Sequence, residues 1–142
     1  MKFFIASDHA GVIIKPDVIA MLKNLGHEVI DLGPQTNARV DYPDYAHALC
    51  NEVLNTPHTQ GILICGTGIG MSLAANKHVG IRAALCHDAY TAQMARAHND
   101  ANVLCFGQRI VGLGVIESII EAWCHTSFEG GRHAGRIEKI EL

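Results

Sequence analysis

Short apolar runs alternate along this chain with longer stretches in which apolar residues recur every three or four positions. The runs Lys2 to Ser7, Glu28 to Asp31, Gly61 to Cys65, Arg82 to Cys86 and Val103 to Phe106 predict five strands. The stretches between and after them predict helices over Val12 to Leu25, Tyr42 to Leu54, Gly68 to Lys77, Ala89 to His98 and Gly112 to His125. Pro16 suits a first turn but would cost about 3 kcal/mol in a helix interior, which moves the start of the first helix toward Ile14. Gly33 to Asp41 is polar and rich in breakers, so it is expected to be a loop. Strands alternating with helices imply an α/β fold, a three-layer α/β/α Rossmann-like stack around a five-stranded parallel sheet.

Composition narrows this picture. The 142 residues, 49% of them hydrophobic, suit a single domain over 1–142 with one sizeable core. A net charge of -3 and the lack of any basic run argue against nucleic acid as a partner, so a bound anion needs a local site. Phe3 to Ala6 is too short an apolar run to be a signal peptide or a membrane span, and a cytoplasmic location is expected. Five cysteines at wide spacing, with no C-x-x-C pair, disfavour both a disulfide framework and a zinc ribbon. Cys50, Cys105 and Cys124 are expected to be small buried apolar groups.

In open parallel sheets, ligands sit beyond the carboxyl ends of the strands. Those ends carry Asp8 and His9 after the first strand, Cys65 after the third, Cys86, His87 and Asp88 after the fourth, and Gln108 and Arg109 after the fifth. His98, Asn99 and Asp100 precede the fifth strand and are expected at the opposite edge, where only a projecting helix end or a partner chain would bring them into the same cleft.

The most pointed of these ends is Cys65-Gly66-Thr67-Gly68-Ile69-Gly70-Met71-Ser72. It sets a thiol where a buried strand meets a glycine turn that opens a helix, and a helix N-terminus favours the thiolate of a neighbouring cysteine. The G-x-G-x-G spacing is neither a dinucleotide fingerprint nor a P-loop. Close helix–strand packing alone would explain the glycines, but not the cysteine before them. Thr67 is expected either to cap the turn or to hydrogen-bond the thiol or a substrate oxygen. Near the end of the chain, Arg132 and Arg136 stand four apart and, if helical, share a face suited to phosphate.

Together with Asp8-His9-Ala10-Gly11, Asp41-Tyr42-Pro43, Ala74-Ala75-Asn76-Lys77, His98-Asn99-Asp100 and Gly130-Gly131-Arg132-His133, this turn resembles the type B ribose-5-phosphate isomerases over nearly the whole chain. The chain is also similar to the wider group of allose- and galactose-6-phosphate isomerases. The resemblance implies interconversion of ribose 5-phosphate and ribulose 5-phosphate by proton transfer through a cis-enediolate, without a metal or organic cofactor.

By the same resemblance, Cys65 is the base, the amides of Gly66, Thr67, Gly68, Ile69 and Gly70 stabilise the enediolate, and His98 opens the sugar ring with Thr67 as a helper near the thiol. Asp8, His9 and Asn99 hold sugar hydroxyls. Arg109, Arg132 and Arg136 bind phosphate, and Tyr42 and His133 line the pocket. Some relatives use a glutamate base just after the glycine turn. Met71 stands there in this chain and cannot accept a proton, so the chain fits the cysteine type. The resemblance further implies at least a homodimer, with a tetramer as the larger alternative, and the C-terminal tail contributing to the site. The competing expectations are a hexose 6-phosphate isomerase and a non-catalytic sugar-phosphate-binding module.

Overall fold

The computed structural model describes all 142 residues. In chain order the elements are β1 (Lys2–Ser7), α1 (Lys15–Asn24), β2 (Glu28–Asp31), α2 (Tyr42–Asn55), β3 (Thr59–Cys65), α3 (Ile69–Ala75), β4 (Ala83–Leu85), α4 (Ala89–Asn99), β5 (Val103–Gly107), α5 (Leu113–Cys124) and α6 (Arg132–Glu138). The five strands form one sheet in the order β2-β1-β3-β5-β4, and every pairing is parallel.

Strand alternation divides the core into two layers. Phe3, Ile5, Ile62, Ile64, Leu104 and Phe106 pack against α1, α4 and α5 through Val18, Leu22, Ala92, Ile116, Ile119, Ile120 and Trp123. Their strand neighbours Phe4, Ala6, Leu63, Cys65, Val103 and Cys105 face the other way, onto Ala46, Leu49, Cys50 and Val53 of α2 and Met71 and Ala75 of α3. Both faces are therefore covered, which is why the central strands are apolar throughout rather than alternating.

α1 begins at Lys15, with Ile14 as the N-cap residue and Pro16 in its first turn, as expected from Pro16. Other element ends differ from the sequence pattern. β3 reaches back to Thr59, because the indole N–H of Trp123 donates to Gln60 Oε1 (2.8 Å) and lets a polar side chain lie buried. β4 keeps only Ala83–Leu85. The tail folds as the short helix α6, entered through Gly130 (φ 68°) and Gly131 (φ 57°), a backbone region that glycine adopts without steric cost. Asp100 takes the left-handed residue after α4. No helix is long and apolar enough to cross a membrane.

Candidate active site

The chain turns outward from β1 in both directions, to β2 on one side and to β3 on the other, so the carboxyl ends of β1 and β3 flank a topological switch point. Asp8 and Cys65 stand at those two ends, and the Asp8 N–H donates to Ile64 O at 3.1 Å. Asp8 Oδ1 accepts from the N–H groups of Ala10 (2.9 Å) and Gly11 (3.2 Å), which fixes the buried carboxylate at the strand end. His9 Nδ1 accepts from the Val40 N–H at 3.3 Å, linking it to the loop that leads into Tyr42. That loop is held from below by buried Lys15, whose ammonium pairs with Asp31 at 2.9 Å and donates to Pro34 O at 2.6 Å.

Cys65 is the last residue of β3 and is only 5% exposed. The Gly68 N–H donates to its Sγ at 3.0 Å. Gly68 has φ 80°, and a Cβ there would lie 2.7 Å from the Phe106 carbonyl carbon and from Leu85, so the turn demands glycine on both counts. Thr67 Oγ1 accepts from the Ile69 N–H at 3.2 Å, a contact within the turn. The first turn of α3 leaves the N–H groups of Gly70 and Met71 without intrahelical acceptors.

Two further side chains close on this turn. Tyr42 packs on Gly70, where an added Cβ would come within 2.6 Å of the ring. Arg109 lies over Gly66, with Nη1 3.2 Å from where a Cβ would stand. Asp8, His9, Tyr42, Cys65, Gly66, Thr67, Gly68, Ile69, Gly70 and Arg109 thus cluster at one edge of the sheet. The other thiols lie outside this cluster: burial pushes Cys50 up to about 12, and Cys86 and Cys124 to about 11.

His98, Asn99, Arg132, His133 and Arg136 form a second group at the opposite edge, as the direction of α4 requires. Val103 and Gly107 pair with Gly61 and Cys65, so the two edges are separated by about four residue rises, roughly 13 Å along the strands. The His98 and His133 rings stack with centroids 4.2 Å apart and 12° between planes. Burial, and then neighbouring His98, lower the His133 pKa from the ordinary imidazole value. Glu129, which the sequence pattern did not single out, brings its carboxylate within 3.7 Å of His98 Nε2 and 3.6 Å of His133 Nε2. Its one signal in the sequence was an i,i+4 spacing to His133. Arg132 and Arg136 do share α6, both exposed. The largest cavity, about 420 Å³, lies at this edge beside Asn76, Arg82, Asn99 and Ile140, away from Cys65.

Residues 3–140 match the family model described as Ribose/Galactose Isomerase. The chain belongs to that family. Ribose-5-phosphate isomerase B of Escherichia coli (strain K12) is 48% identical over 139 residues, covering 98% of this chain and 93% of that one. The probable ribose-5-phosphate isomerase B of Mycoplasma pneumoniae is 48% identical over 138 residues, covering 96% of this chain and 91% of that one.

Among solved structures, Clostridium thermocellum ribose-5-phosphate isomerase B superposes with a TM-score of 0.95 at 48% identity, covering 99% of this chain and 95% of that one. The type B ribose 5-phosphate isomerase of Trypanosoma brucei gives 0.93 at 47% identity, covering 98% and 95%. Membership of the ribose/galactose isomerase family agrees with the resemblance carried by the sequence motifs, and the Rossmann-like sheet is the architecture of these relatives.

Proposed function

We propose that this protein is an aldose–ketose isomerase that interconverts ribose 5-phosphate and ribulose 5-phosphate. The observation that carries the reading is the buried thiol of Cys65 under the Gly68 N–H at the switch point, beside the fixed carboxylate of Asp8. In the forward direction, Cys65 as thiolate takes the proton from C2 of the open-chain sugar. The C2–H electron pair becomes the enediolate double bond, and the carbonyl oxygen at C1 takes up the negative charge. A proton delivered from the Cys65 thiol to C1, after exchange with solvent in part of the turnovers, together with a proton moved from O2 to O1, gives the ketose. Amides of the Gly66 to Gly70 turn face the place where that charge develops, the kind of preorganised donor array that lowers such barriers.

His98 opens the furanose ring by acid–base transfer, a task suited to imidazole near neutral pH. Asp8, His9 and Asn99 bind hydroxyls, Tyr42 and His133 line the pocket, and Arg109, Arg132 and Arg136 hold the phosphate. Because Cys65 and His98 occupy opposite edges of one chain, a complete site takes the Cys65 edge of one subunit and the His98 edge of another, which makes the working unit at least a homodimer.

A hexose 6-phosphate is the second reading, favoured by the galactose isomerases within the matched family. Assaying the protein on ribose 5-phosphate and on allose 6-phosphate separates the two. A higher kcat/KM for the pentose is expected, and a clear preference for the hexose would overturn the assignment.

A further inference from the structure

Glu129 has no part in the chemistry above, yet it stands where two imidazoles converge. The ligand-type atoms of His98, Glu129 and His133 all lie within 4.8 Å of one another. At 3.6 and 3.7 Å, the carboxylate contacts are too long for hydrogen bonds. His133 Nε2 is buried with no hydrogen-bond partner, on a residue only 6% exposed. A buried polar atom left unpaired costs roughly 1–3 kcal/mol, so one directed at a carboxylate and a second imidazole points to a ligand that all three would share.

We propose that His98, Glu129 and His133 form a binding site for a divalent transition-metal ion of the Zn2+ or Co2+ type, and that its occupancy inhibits the enzyme. The inhibitory half rests on the isomerase reading; the binding half does not.

The spacing fits such an ion. Tetrahedral Zn2+ with bonds of about 2.1 Å sets its ligand atoms about 3.4 Å apart, close to the two carboxylate–imidazole distances already present. The backbone holds Glu129 in place, since its N–H donates to Ala97 O at 2.9 Å and ties the segment before α6 to the last turn of α4. The remaining adjustment falls on His98. Its ring lies nearly parallel to that of His133, so bringing both imidazoles onto one ion turns His98 off the stack. With 38% of its side chain accessible, His98 has room to do so, while buried His133 stays. Two imidazoles and one carboxylate select zinc or cobalt over magnesium or calcium, which prefer all-oxygen sets. A fourth position is left for water or a sugar oxygen. Occupancy would withdraw His98 from ring opening.

Two other places compete for the same ion: the Cys65 thiol, and the pair His47 and His78, whose ring nitrogens lie 2.7 Å apart. Calorimetric titration of tag-free protein with zinc chloride separates them. One ion per chain is expected. Glu129→Gln, which keeps the shape of an exposed side chain, and His133→Asn should each weaken binding roughly tenfold or more. Cys65→Ser and His47→Asn should leave binding unchanged, and the Co2+ adduct should lack thiolate-to-cobalt absorption. Wild-type affinity in folded Glu129→Gln, or affinity that follows Cys65 or His47, would overturn the site. In the activity arm, zinc should inhibit the wild-type isomerase, a chelator should restore it, and Glu129→Gln should need roughly tenfold more zinc. Binding by calorimetry without inhibition would overturn the inhibitory half alone. Absence of isomerase activity in metal-free wild type would instead strike the isomerase reading.

Discussion

The Gly68 N–H donates to Cys65 Sγ at 3.0 Å across a turn that only glycine can make. Position, conformation and hydrogen bond are therefore linked: the φ of 80° at Gly68 both starts α3 and aims its amide at the sulfur. Gly68→Ala would force a Cβ against the Phe106 backbone and strain the positive φ. A loss of about 2 kcal/mol or more in unfolding free energy is expected, with reduced isomerase activity in the folded fraction. Chemical denaturation measures the first effect and steady-state assay the second.

Arg132 and Arg136 are exposed on one short helix and make no ion pair within the chain. Replacing either with Ala should leave thermal stability near wild type and raise KM for the sugar phosphate, with a smaller change in kcat, because phosphate binding is common to ground and transition states. Unchanged KM in both variants would remove α6 from the site.

The proposed division of the site between two edges of the sheet predicts complementation. Cys65→Ser and His98→Asn should each be nearly inactive alone. Mixed after subunit exchange, they should recover up to about one quarter of wild-type activity, because half the dimers formed at random contain one intact site of two. No recovery despite demonstrated exchange would place Cys65 and His98 of a single chain in the same site.

Acidification should destabilise the fold through His27 and His78. Burial lowers the pKa of each below the ordinary 6.5, with the N-terminus adding to the effect at His27 and His47 at His78. Below that value the unfolded chain binds more protons than the folded one, so stability is fully present above about pH 6.5 and declines as pH falls through the folded values. Tm should drop between about pH 7 and pH 5, and His78→Asn should flatten part of that slope.

The sheet and the Cys65 turn were legible because their signals are local: apolar runs of strand length, and a cysteine directly before spaced glycines. The placement of His98 beyond the far edge also followed from helix direction alone. What escaped was non-local. Lys15 reads as a solvent-exposed residue until Asp31 and Pro34 O meet its ammonium, and Gln60 reads as a loop residue until Trp123 supplies a donor. α6 was hidden because Gly130, Gly131 and Gly135 are poor helix formers, and Glu129 because its meaning depends on two imidazoles brought together by packing.

The central claim is that Cys65 moves the C2 proton, and turnover in heavy water tests it most directly. Wild-type protein should place solvent deuterium at C1 of ribulose 5-phosphate. Folded Cys65→Ser, in which a hydroxyl can still accept from the Gly68 N–H, should lose this exchange by roughly 10²-fold or more, because serine is a far weaker base than a thiolate. Deuterium incorporation at the wild-type rate in that variant would contradict the account.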